Sequence, residues 1–143
     1  MDDRISVRLI EALDASALER LAGLYRLAGF AEAGDDAVAW LPGMLAGSLL
    51  AAAAFHEGEL VGFGRALGDG VSDAFLQDVV VDPEWRRRGV GRMVVELLVR
   101  ELRARGADWI GLVAVPGKAG FYRKLGFTEL EDYVPMRLKL PRK

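Results

Sequence analysis

A chain of 143 residues, 52% apolar and 28% charged, has the size and composition of one compact globular domain with a buried core. Its formal net charge of -2 speaks against a general polyanion binder, so any basic cluster is a local feature. The absence of cysteine rules out a thiol nucleophile, a disulfide framework and cysteine-based zinc sites, and no metal is expected.

The acidic start Met1-Asp2-Asp3-Arg4 has no apolar signal region behind it, which predicts a cytoplasmic protein. Ile5 to Ile10 alternates apolar and polar residues, as a first strand does. Ser16 to Ala28 has helical spacing (Leu18, Leu21, Leu24, Tyr25, Ala28) and Gly29 is its stop. Ala33 to Ala46 reads as a second helical region disturbed by Pro42-Gly43. Leu49 to Phe55, too short to span a bilayer, and Leu60 to Leu67 are joined by His56-Glu57-Gly58-Glu59, a hairpin signal in which Gly58 can take a positive φ.

Gly68-Asp69-Gly70 makes a second turn, and Ser72 to Val81 reads as the next strand. Asp82-Pro83 stops that strand, because proline cannot donate to a ladder and restricts the residue before it. After Gly91 the pattern is helical to about Arg105, with Val90, Val94, Leu97, Leu98 and Leu102 on one side and Arg92, Glu96, Arg100 and Arg103 on the other. Gly106 ends that helix. Trp109 to Val115 reads as a further strand broken by Pro116-Gly117. Lys118 to Leu125 is a short helix capped by Gly126, and Tyr133 to Leu140 a last strand. One domain with a mixed sheet flanked by helices follows from this order.

The segment Asp78-Val79-Val80-Val81-Asp82-Pro83-Glu84-Trp85-Arg86-Arg87-Arg88-Gly89-Val90-Gly91 is the most informative stretch. A strand turns sharply into a glycine loop that opens a helix, whose first turn carries backbone N–H groups flanked by three arginines. That combination suits a diphosphate, although a solvated basic turn has the same pattern. A Walker loop needs lysine followed by Ser or Thr after the second glycine, where Arg92-Met93 stands. A dinucleotide fingerprint needs a small residue where Val94 sits and an acidic ribose partner that is not evident.

The same segment resembles the acetyl-CoA motif of the GCN5-related N-acetyltransferases (GNAT), Q/R-x-x-G-x-G/A after a strand ending in apolar-x-apolar-Asp/His-Pro. Downstream, Gly120-Phe121-Tyr122-Arg123-Lys124-Leu125-Gly126-Phe127 resembles the second motif of that family, an aromatic-Tyr pair followed by Lys-Leu-Gly-Phe. The resemblance covers Leu60 to Phe127, and the amino-terminal third only by its pattern of elements. It implies an α/β (α+β) GNAT fold with a mixed, mostly antiparallel twisted sheet of about six to seven strands and about four helices. The fourth and fifth strands would splay apart to admit pantetheine.

On this resemblance, main-chain groups of Val79 and Val81 pair with the pantetheine amides. The N–H groups of Arg87, Arg88, Gly89, Val90, Gly91 and Arg92 cradle the pyrophosphate, and the side chains of Arg86, Arg87 and Arg88 are within reach of the phosphates. Acetyl-CoA is then the cosubstrate, and a chain without cysteine would transfer the acetyl group directly within a ternary complex. Tyr122 matches the tyrosine that serves the family as general acid toward the departing sulfur. A strand amide, of Val79 or Val80, would meet the oxyanion.

Asp78 is the candidate general base, because Gln77 and Asp78 interrupt an apolar strand where buried polar groups need partners. Asp73 and Glu32 are further candidates. His56, the only histidine, sits at a hairpin tip and is not expected to be the base. Phe30 and Trp40 come from the region that forms the acceptor wall in the family and are substrate candidates with Gln77; Trp85 and Trp109 read as packing residues. One departure stands out: Val115 occupies the position, seven residues before the tyrosine, where many relatives carry an asparagine that contacts the cofactor.

The function expected is acetyl-CoA-dependent N-acetyl transfer to a primary amine of a small molecule or protein. Two alternatives stay open: an acetyl-CoA-binding sensor without turnover, and an acetyltransferase of aminoacyl-tRNA suggested by the arginine triplet and the tail Arg137 to Lys143. The net charge disfavours a nucleic-acid partner. No membrane partner is expected, and the chain would be a monomer or homodimer.

Overall fold

The computed structural model describes residues 4–141, so Met1-Asp2-Asp3 and the end of the basic tail, Arg142-Lys143, lie outside the described residues. The chain divides into two compact units, Met1–Leu112 and Val113–Lys143. The first holds β1 (Ser6–Leu9), α1 (Ala15–Ala28), α2 (Ala37–Gly47), β2 (Leu50–His56), β3 (Glu59–Gly68), β4 (Asp73–Val81), a short 3-10 turn (Pro83–Trp85), α3 (Val90–Ala104) and β5 (Trp109–Gly111). The second holds α4 (Ala119–Lys124).

The five strands lie in chain order in one sheet, with β1 to β4 antiparallel and β4 parallel to β5. The hairpin between β2 and β3 turns on Glu57 and Gly58, with φ of 47° and 82°. Two successive left-handed residues are what a two-residue hairpin turn requires. Asp14, which no sequence pattern singled out, caps α1 by accepting from the Ala17 amide at 2.8 Å. Pro42 lies inside α2 without ending it. An exposed proline there forfeits one intrahelical bond, while Ala37, Leu41 and Leu45 stay buried.

Strand alternation gives the sheet two covered faces. Phe63, Ala51, Ala53, Phe55 and Val80 join the core built by α1 and α2. The opposite face takes α3, whose buried stripe is Val90, Gly91, Val94, Val95, Leu98 and Leu102. A Cβ on Gly62 or Gly64 would come within 2.6 Å of Val90 Cγ1 or 2.9 Å of Val94 Cγ1, so these glycines let α3 lie close on β3.

Five strands stand where six to seven were expected. No ladder partner exists for Tyr133 to Leu140 among the described residues, and Val134, Met136, Leu138 and Leu140 are all exposed. Alternation supplies a strand's side-chain pattern, but hydrogen-bonded pairing must come from elsewhere. Likewise β5 ends at Gly111 rather than Val115.

Candidate functional site

β4 carries a bulge. Phe63 pairs with Val80 and Arg65 with Gln77, so Gly64 faces both Asp78 and Val79. Asp78 adopts a left-handed φ of 57° to make the bend. Pairing with β5 covers only Asp73 to Phe75, although β4 continues to Val81. Beyond Phe75 β5 no longer pairs with β4 and no other strand takes its place among the described residues, as the expected splay requires. Asp82 donates its amide to Val61 O at 2.8 Å, so the amide and carbonyl of Val81 turn to the opposite, open edge. Val79, two residues back, shares that edge by strand alternation.

The chain then passes Pro83–Trp85 and a turn with Arg87 and Gly89 left-handed, at φ of 63° and 81°. Gly89 is the N-cap of α3, and no side chain caps this helix. Its first turn holds no acidic residue, and its first intrahelical bond shown runs from the Met93 amide to Gly89 O at 3.0 Å. The amides of Val90, Gly91 and Arg92 therefore sit at the positive end of a 15-residue helix whose own first turn brings no carboxylate to them. Arg86, Arg87 and Arg88 are exposed around this start. Arg88 is stacked on Trp85, 4.8 Å from the ring centroid, and Arg92 pairs with Glu96 at 2.6 Å.

On the α1 face, Asp78 joins a compact polar group. Its Oδ2 accepts from Tyr25 Oη at 2.9 Å and from Arg65 Nε at 2.8 Å. Tyr25 is buried, and its ring meets Phe30 at 5.8 Å and Trp40 at 5.9 Å. Phe30 is half-buried and Trp40 exposed, so the two acceptor-wall candidates do share one aromatic cluster. Gln77 is exposed next to the bulge. Burial, reinforced by the Asp78 carboxylate, pushes the Tyr25 hydroxyl well above the usual phenol range. Arg20 makes a second tie from α1 to the end of β4, donating to Asp82 Oδ2 at 2.8 Å and Leu60 O at 2.7 Å.

The other base candidates lie elsewhere. Asp73 is exposed at the start of β4, where its amide donates to Asp69. Glu32 is exposed in the loop after α1. His56 stacks on Trp85 at 4.4 Å with Nδ1 at 3.2 Å from Arg4 O. Trp109 packs on Phe75 at 5.1 Å. Tyr25 and Arg65 were missed as site residues, yet Arg65 had a signal: it is the one charge inside the apolar run Leu60 to Leu67.

In the second unit, Tyr122 is half-buried in α4 between Phe121 (4.9 Å) and Phe127 (5.8 Å), and burial raises its pKa. Val115 is exposed and its carbonyl accepts from the Lys118 amide at 3.0 Å. Arg123 pairs with Glu129. Among the described residues no cluster of His, Asp and Glu could hold a metal ion, and no helix is long and apolar enough to cross a membrane.

Comparison with known proteins agrees with this geometry. The acetyltransferase (GNAT) family model matches residues 15–127. Serotonin N-acetyltransferase 2, chloroplastic, of Oryza sativa subsp. japonica is 49% identical over 82 residues, which is 57% of this chain and 41% of that protein. The chain thus spans less than half the length of that relative. A GNAT family acetyltransferase from Streptococcus pneumoniae superposes with a TM-score of 0.77 at 27% identity, covering 98% of this chain and 100% of that one. An aminoglycoside 6'-N-acetyltransferase complexed with coenzyme A gives a TM-score of 0.63 at 27% identity over 71% of this chain and 57% of its own. An open β4 edge, an uncapped arginine-flanked helix and a family match over most of the length lead to one assignment: the chain belongs to the GNAT acetyltransferase family.

Proposed function

We propose that this chain is an acetyl-CoA-dependent N-acetyltransferase that passes the acetyl group directly to a primary amine in a ternary complex. What carries the reading is the sequence of an open β4 edge and, one turn later, an uncapped α3 start. A strand edge suits an extended arm bearing amides, and a helix N-terminus suits a diphosphate. Val79 and Val81 pair with the arm. The amides of Arg87 to Arg92 take the pyrophosphate, and Arg86, Arg87 and Arg88 add positive charge around it. Acetyl-CoA supplies the acetyl group in activated form, as a thioester.

The amide of Val79 or Val80 donates to the charge that develops on the carbonyl oxygen. Tyr122 is the general acid, and its burial supports the role by holding the phenol protonated at neutral pH until a basic thiolate leaves. With no cysteine in the chain, no thiol is available to carry the acyl group. The acceptors named for relatives, serotonin and an aminoglycoside, support an amine as acceptor class.

The test is titration of coenzyme A into folded protein, followed by an amine panel assayed for coenzyme A release. Saturable binding and release are expected; absence of binding overturns the reading, and binding without release on any amine favours a sensor. Tyr122→Phe should lower turnover by about 10²- to 10⁴-fold while coenzyme A affinity stays within a few-fold. Unchanged turnover would remove the acid assignment.

A further inference from the structure

We infer that Asp78 is a positioning residue: by holding Tyr25 and Arg65 on the α1 face, it pins the β4 bulge and with it the open edge at Val79 to Val81. This rests on the reading of that edge as the binding strand, and it replaces the general-base role expected from the sequence.

Register is the first argument. Before the bulge, Ala74 and Leu76 are buried outside the core built by α1 and α2, which places them on the α3 side. Unbroken alternation would put Asp78 there too, facing an apolar helix stripe with no partner for a charge. The extra residue reverses the phase. Val79 now approaches Gly64 on the α3 side, Val80 enters the α1 core, and Asp78 meets Tyr25 and Arg65. Only the bulged register satisfies the carboxylate.

Occupancy is the second. The Tyr25 hydroxyl has one proton and two neighbours, Asp78 Oδ2 at 2.9 Å and Met44 Sδ at 3.2 Å. The carboxylate is the stronger acceptor and takes it. Both lone pairs of Oδ2 are then committed, so that oxygen fixes the side chain between α1 and β3, and a proton could be taken without breaking these bonds only at Oδ1. The raised pKa of Tyr25 keeps that hydroxyl a donor throughout the neutral range.

Strain and anchoring complete the case. A left-handed φ of 57° at a residue with a Cβ is held in place by its surroundings, here two partners from α1 and β3. Arg20 ties α1 to Asp82 as well, so the helix is fastened to β4 on both sides of Val79 to Val81.

The experiment compares Asp78→Ala, Asp78→Asn, Asp78→Gly and Tyr25→Phe, each read by coenzyme A affinity, the pH profile of kcat/KM and amide hydrogen exchange over Gln77 to Val81. D78A removes the acceptor and disfavours the left-handed backbone, so affinity should fall about tenfold or more and exchange should accelerate. D78N should rescue most of this loss, since a carboxamide oxygen accepts both bonds and asparagine tolerates positive φ. D78G should rescue part of it through the backbone alone, and Y25F should give a milder version of the D78A effect. The proposal is overturned if D78N is as impaired as D78A with the ascending limb of the pH profile gone, which identifies a base. It is overturned equally if exchange over β4 is unmoved in D78A, or, should D78A not fold, in both D78G and Y25F. Wild-type protein that binds no coenzyme A would sink the functional reading instead, and the exchange comparison would still decide the pin.

Discussion

Gly62→Ala tests whether packing of α3 on β3 sets the start of the phosphate loop. The new Cβ would lie 2.6 Å from Val90 Cγ1, with Ala54 Cβ at 3.4 Å and Val80 O at 3.5 Å. Val90 is 1% exposed and is the first residue of α3. A β-branched side chain there has little χ1 freedom to retreat, so the helix start must lift. Overpacking of this kind costs about 1–3 kcal/mol, offset by about 0.5–1 kcal/mol from removing a glycine from a strand interior. A net loss of up to about 2.5 kcal/mol follows, a fall in Tm of up to about 10 °C for a domain of this size.

Because Val90 contributes one of the amides assigned to the pyrophosphate, coenzyme A affinity should fall with stability. Chemical unfolding and calorimetry on Gly62→Ala, Val90→Ala and the double variant check both. Removing the Val90 methyls relieves the clash, so the double variant should be more stable than the sum of the singles by about 1 kcal/mol or more. Gly23→Ala is the control: nothing lies within 4 Å of its Cβ, and a helix-interior alanine should gain up to about 1 kcal/mol. Additivity within about 0.5 kcal/mol at 62 and 90 would refute the contact as the determinant of the loop.

Gly89→Ala probes backbone rather than space, since its Cβ meets nothing within 4 Å while φ is 81°. It should cost about 1–2 kcal/mol and weaken coenzyme A measurably by calorimetry, with Gly89→Asn milder; equal affinity for all three would exclude a left-handed requirement. Asp69 accepts from the amides of Ser72, Val71 and Asp73 and from the Ser72 hydroxyl, and the Ser72 amide first of all holds its carboxyl well below the usual range. A depressed folded pKa contributes stability above the unfolded value of about 4 and loses it as pH falls further. The Tm gap between wild type and Asp69→Ala should therefore narrow on acidification below that value; a constant gap would show that the carboxylate's charge is not involved.

The parts legible in the sequence are those fixed by near neighbours. The hairpin at Glu57-Gly58, the stop at Asp82-Pro83 and the helix opening out of the Gly89-Val90-Gly91 loop each depend on a few adjacent residues, and each forms there, α3 starting at Val90 within the loop rather than after Gly91. What was misread depends on partners far along the chain. Tyr133 to Leu140 has strand alternation but no ladder among the described residues, and the disturbance expected at Pro42-Gly43 leaves α2 continuous because the buried ridge of Ala37, Leu41 and Leu45 that outweighs it is tertiary. Val79 and Val81 could be named from the family motif. That their polar groups face an open edge follows only from where β5 stops and from the Asp82 bond to Val61.

Asp78 shows why the remaining gap is physical rather than a matter of pattern. Two lone charges, Arg65 and Asp78, interrupt two apolar strands, and either alone reads as a defect or a catalytic group. In a regular antiparallel ladder the pair constant is 142, as for Arg65 with Gln77, and Asp78 would fall opposite Gly64 on the α3 side. Past the inserted residue the constant is 143, as for Phe63 with Val80, and the carboxylate reaches Arg65. The ion pair and the bulge thus select one another: the charge makes the regular register costly, and the irregular one sets which groups of Val79 to Val81 face the edge that β5 leaves. A residue that looks catalytic because it is polar, strained and central can owe all three traits to holding the backbone on which the chemistry takes place.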